Sequence, residues 1–135
     1  MARLEPWTRD EVINRFREAG ETVKRLPRAK GPAQFGSGWP AVVQDARDAY
    51  GYTEATIRLA APSPRAIDRT AEVFSWFRLF DGNVEEMRAV WLAAGCGISF
   101  SSVGRILGIS RTTVRSRVWA GLQRVVAGLN STHKN

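Results

Sequence analysis

The sequence predicts an all-α protein, a multi-helix bundle, from three observations. Apolar residues recur at helical spacing in several separate stretches. Helix-starting side chains, Thr8, Ser63 and Asn83, stand just ahead of those stretches. No stretch shows the strict alternation of a half-buried strand. At 135 residues and 44% hydrophobic content the chain can bury one core and is short for two. The expected organisation is one compact unit made of an N-terminal helical region over 1–62, with a basic Pro/Gly-rich loop, and a helical bundle over 63–135.

Thr8 followed by Glu11 is a capping-box pattern, and Val12, Phe16, Ala19, Val23 and Leu26 then alternate by four and three. This predicts a helix over 9–26, stopped by Pro27. Its stripe either packs within the chain or offers a seam for self-association. Residues 27–38 are rich in Pro and Gly and read as a loop; Gly36 and Gly38 lack the flanking strand and Lys-Ser/Thr of a phosphate cradle. Pro40 opens a short helix to about Tyr50, ended by Gly51, and residues 51–62 read as irregular. Ser63-Pro64 opens another to about Phe80, whose Phe74, Trp76, Phe77 and Phe80 form a core stripe. Asn83 with Glu86 repeats the capping-box pattern and begins a helix through Met87, Val90 and Trp91 to Gly95.

The last third carries the functional signal. Ser99 caps a helix that runs only to Leu107, Gly108 supplies the positive φ of a tight turn, Ile109 plugs the core, and Ser110 caps a helix from Arg111. Val103, Leu107, Ile109 and Val114 are expected to share a small core, with Gly104 permitting close approach. The spacing is that of a helix-turn-helix unit over 99–129. On the third helix Val114, Val118, Leu122, Val125 and Leu129 share one face, leaving Thr112, Ser116 and Trp119 opposite, where they are expected to meet DNA, and Arg115 on a flank. Arg111 and Arg115 are long enough for bidentate bonds to guanine; Ser110, Thr112, Thr113 and Ser116 suit base edges or phosphates. Arg105 and Arg117, off the central face, suit the phosphate backbone. Lys24, Arg25, Arg28 and Lys30 form a secondary basic cluster for backbone contacts.

Charge placement points the same way. Residues 1–86 carry 13 Lys+Arg and 13 Asp+Glu, whereas residues 87–135 carry seven basic side chains and no acid. The net charge of +7 therefore belongs to the C-terminal part. Arg88, Arg105, Arg111, Arg115, Arg117, Arg124 and Lys134 are expected to set up an unopposed positive field, and double-stranded DNA is the partner it fits.

The stretch ISFSSVGRILGISRTTVRSRVWAGLQRV resembles region 4 of bacterial sigma factors, through Gly108, Ile109, Ser110, Thr113, Val114, Ser116 and Arg117. It is similar also to the C-terminal helix-turn-helix of phage Q-type late-gene antiterminators. Over nearly its full length, including RLPRAKGP, GSGWPAVVQDARDAYG and PSPRAIDR, the chain resembles a family of alphaproteobacterial phage and prophage proteins. Regulators of gene transfer agents belong to the same neighbourhood. The resemblance implies a transcription regulator that acts with RNA polymerase, through its aromatic N-terminal portion, as an activator or an antiterminator. A counterpart of sigma region 2 is lacking, so opening a promoter is not expected. The alternative from another class is a small terminase subunit that marks viral DNA for packaging.

An enzyme is not expected. His133 is the sole histidine and lies in a polar tail, no nucleophile-base pair is visible, and no cluster has metal-ligand spacing. Neither catalytic residues, metal nor cofactor are anticipated. Cys96, between Gly95 and Gly97, is alone and reads as a packed, idle thiol. Without a 20-residue apolar run or a signal-peptide core, the expected location is cytoplasmic, at the nucleoid, with no membrane partner.

Overall fold

The computed structural model describes residues 5–26, 39–49 and 61–134, and every element in them is helical. Helix α1 spans Arg9–Arg25 and α2 spans Ala41–Ala49. Helix α3, Pro64–Ser75, tightens into a 3-10 turn over Trp76–Phe80; α4, Val84–Val90, widens into a π turn over Trp91–Gly95. Helices α5, Phe100–Leu107, and α6, Arg111–Lys134, complete the chain. Among the described residues there is no strand, and no helix is long and apolar enough to cross a membrane. Arg28, Lys30, the glycine loop of 27–38, the Tyr50-Gly51 stop and the irregular segment as far as residue 60 lie outside the described residues.

The starts are fixed locally. Thr8 Oγ1 accepts from the Glu11 amide at 3.3 Å while the Thr8 amide donates to Glu11 Oε1 at 3.1 Å, so the capping box is complete. Ser63 Oγ accepts from the Ala66 amide at 3.1 Å, with Pro64 in the first helical position. The box expected at Asn83 is only half made. Asn83 Oδ1 accepts from the Glu86 amide at 3.1 Å, but the Glu86 carboxylate turns away to Arg124, a tertiary partner that outcompetes the local bond.

Packing then gathers the elements around α1, which lies against α3, the π turn and α6. Phe16 is fully buried and meets Trp76, Phe77 and Trp91 edge-on, with ring centroids 5.9, 6.1 and 6.5 Å away. Such pairs add about 0.5–1.5 kcal/mol each beyond the area they bury. Gly20 of α1 crosses the π turn so closely that a Cβ there would overlap the Gly95 carbonyl oxygen. Arg15 reaches Glu72 of α3, and Arg69 of α3 reaches back to Glu18 at 3.1 Å. At the chain's start the Asn130 side chain clasps Trp7, accepting from its amide at 2.7 Å and donating to its carbonyl at 3.1 Å.

One alternative narrows here. Val12, Phe16, Ala19 and Val23, the stripe that offered a self-association seam, are all buried in the chain's own core, so a second copy would have to use another face. The described aromatic side chains are buried or half-buried, Trp7, Phe74, Phe100 and Trp119 being the ones that keep part of their surface. Val84, 53% exposed, is the one large hydrophobic side chain that stands out among the described residues.

Candidate nucleic-acid interface

The geometry of the C-terminal part follows from two glycines. Gly108 takes φ 71°, the left-handed region that an L side chain enters at a cost, and its amide donates back to the Gly104 carbonyl. The Ile109 amide shares that acceptor at 2.9 Å. A Cβ on Gly104 would stand 2.6 Å from the Ile109 carbonyl oxygen, so glycine at 104 lets the turn fold flush onto α5. Val103 and Val114, both 0% exposed, lock α5 and α6 together. Leu107 and Ile109, expected to share that core fully, are only half-buried, because the turn carries them to its rim.

The turn sets α6 with its first two turns at the surface. Arg111, Thr112, Arg115 and Ser116 are exposed, as is Arg105 on α5, whose Nη2 donates to Ser102 Oγ at 2.9 Å. Ser110 is exposed but bound: its Oγ accepts from the Thr113 amide at 3.1 Å and lies 2.8 Å from Thr113 Oγ1. Those two hydroxyls hold the helix start, and Thr113 is half-buried. Trp119 is half-buried too, under the Arg9 guanidinium of α1, which sits 4.4 Å from the ring centroid.

The unopposed field is narrower than charge counting predicts. Helix α4 packs along α6. Its first turn brings Glu85 to 3.3 Å from Arg117 and Glu86 to 2.7 Å from Arg124. The hydrogen bond and charge of Glu86 hold the Arg124 guanidinium above its ordinary pKa. Acids that precede position 87 in sequence thus neutralise two cations that follow it. Arg105, Arg111 and Arg115 have no carboxylate within ion-pair distance among the described residues. Positive charge therefore concentrates on the exposed start of α6 and the flank of α5.

Two members of the secondary cluster face elsewhere. Lys24 pairs loosely with Glu21 at 3.9 Å, and its charge is felt at Cys96; Arg25 lines a cleft with Pro62, Ser63 and Ala66 at the start of α3. What the sequence did not disclose is the nearness of α1. Arg9, Ile13 and Arg17 share its face toward α5 and α6, where Ile13 and Arg17 line a cleft with Phe100, Val118 and Trp119. Their four-residue spacing was visible, but only the fold says what that face meets.

Fold and surface define a class: an all-helical protein whose last helix exposes an arginine- and hydroxyl-bearing face at its start. Within that class the chain belongs to the family described as Domain of unknown function (DUF6362), which residues 24–125 match. No curated protein and no solved structure matches it.

Proposed function

We propose that the protein is a sequence-reading DNA-binding transcription regulator of phage or prophage descent, in which α5, the Gly108 turn and α6 act as a helix-turn-helix. One observation carries the reading: Arg111, Thr112, Arg115 and Ser116 stand exposed on the first two turns of α6, and neither arginine has a carboxylate partner among the described residues. Planar guanidiniums left unpaired suit bidentate bonds to guanine O6 and N7, and short hydroxyls suit base edges or phosphates. Arg105, on the adjoining helix, suits a flanking phosphate. The likeness of Gly108, Ile109, Ser110, Thr113, Val114, Ser116 and Arg117 to sigma region 4, and of the stretch around them to the helix-turn-helix of Q-type antiterminators, supports a target beside RNA polymerase. The reading assigns no catalytic step and no cofactor.

The test is chromatin immunoprecipitation with sequencing, followed by a polymerase pull-down. Sharp peaks at late-type promoters with polymerase recovered are the expected result for an activator. Signal that spreads downstream with polymerase is the expected result for an antiterminator. An even signal across the genome with no polymerase recovered contradicts both.

A further inference from the structure

We propose that α1 supplies a second, phosphate-gripping edge to this surface, made by Arg9, which Trp119 holds in position, and by Arg17. The inference rests on the DNA-binding reading and extends it to an element far away in sequence. Arg9 is exposed, and its guanidinium lies 4.4 Å from the Trp119 ring centroid. Such a contact is worth about 0.5–1 kcal/mol at an exposed site, enough to favour one orientation of a long side chain. Arg9, Ile13 and Arg17 repeat every four residues, so they line one side of α1. On that side Ile13 and Arg17 flank the cleft beside Val118 and Trp119.

Charge on this edge is available. Neither Arg9 nor Arg17 has a carboxylate within ion-pair distance among the described residues, and the neighbouring Glu11 is committed to Thr8. Its other neighbour, Asp10, is exposed and diminishes the field without capturing either arginine. Trp119 follows Ser116 by three residues, a rise of about 4.5 Å along α6. Trp119 is half-buried and Arg9 reaches its ring from α1, so that cation enters from the side of the exposed α6 face where α1 packs. When a helix lies in a major groove about 12 Å wide, what stands beside it is the phosphate backbone. Trp119 is therefore a positioning residue that acts through Arg9, where the sequence alone suggested a direct DNA contact.

The experiment measures anisotropy of a fluorescent mixed-sequence duplex titrated with the full chain across a series of KCl concentrations. Removing one phosphate-neutralising cation reduces the slope of log affinity against log salt by about 0.9, which is up to about eightfold in affinity near 0.1 M salt. Arg9→Gln is expected to show that reduction, and Arg9→Gln with Arg17→Gln twice as much. Arg9→Lys and Trp119→Phe keep the slope, and Trp119→Ala reduces it as far as Arg9→Gln does and adds nothing further in the double variant. Arg65→Gln, the same change in charge on α3, leaves the slope unchanged. A wild-type slope in Arg9→Gln, with only the melting temperature altered, overturns the proposal, as does an equal reduction in Arg65→Gln. If the wild-type chain binds no duplex at any salt, the DNA-binding reading itself falls and takes the α1 edge with it.

Discussion

Single side chains divide into those that hold the fold and those left over for a partner. Glu85 and Glu86 claim Arg117 and Arg124, while Ser110 and Thr113 bind each other, so Arg111 and Arg115, with Thr112 and Ser116, are the exposed side chains of the first turns of α6 on which the proposed DNA reading rests. Replacing either with alanine is expected to cost about 1–3 kcal/mol at a selected site and to relax base preference there. Competition titrations against a scrambled duplex check this; an equal loss on both duplexes denies the base-reading role. Cys96 belongs to the first group. Burial pushes its thiol from 9.0 up to about 11, against the pull of Lys24. A raised thiol pKa favours the neutral form in the fold, so its contribution to stability is whole below pH 9 and is lost as pH climbs toward 11. At pH 8 alkylation by iodoacetamide is expected to run about a hundredfold slower than for a freely exposed thiol, because so little thiolate is present. Rapid labelling of the folded chain would contradict that burial.

At the scale of elements, the junction of α5 and α6 is where geometry is most tightly dictated. Glycine in an exposed helix interior normally gains up to about 1 kcal/mol on replacement by alanine. Gly104→Ala is expected to do the reverse, since its Cβ would press on the Ile109 carbonyl oxygen, a backbone atom that cannot step aside. Overpacking of this kind costs about 1–3 kcal/mol, so the net result is a lower melting temperature. A rise in thermal denaturation would show that the turn has slack. The same junction was the most legible part of the sequence, because caps and a left-handed glycine are encoded within four residues of where they act. Thr8, Ser63 and Ser99 were likewise readable and cap as expected. The 3-10 turn at Trp76–Phe80 and the π turn at Trp91–Gly95 were not, since both continue stretches of ordinary helical periodicity. What distinguishes the π turn is tertiary: Gly95 sits over the Trp91 ring and against Gly20 of α1. The helix expected to end its apolar face at Leu129 also runs on to Lys134.

For the whole molecule, the core is shared from end to end, with Phe16 against Trp76, Phe77 and Trp91, and Trp7 clasped by Asn130. Sequence charge counting located the positive part of the chain correctly but could not foresee that α4 would cancel part of it while α1 brought Arg9 alongside. Pairings between distant residues depend on packing, which no local pattern carries. The central claim is that the exposed start of α6 meets duplex DNA. Its most direct test is selection of binding sites from a random duplex pool with the purified full chain, followed by titration of the selected duplex over a range of salt. The account predicts a defined consensus and, with about four phosphates neutralised, a slope of log affinity against log salt of about −4. A pool that returns unchanged, with affinity indifferent to salt, would contradict it.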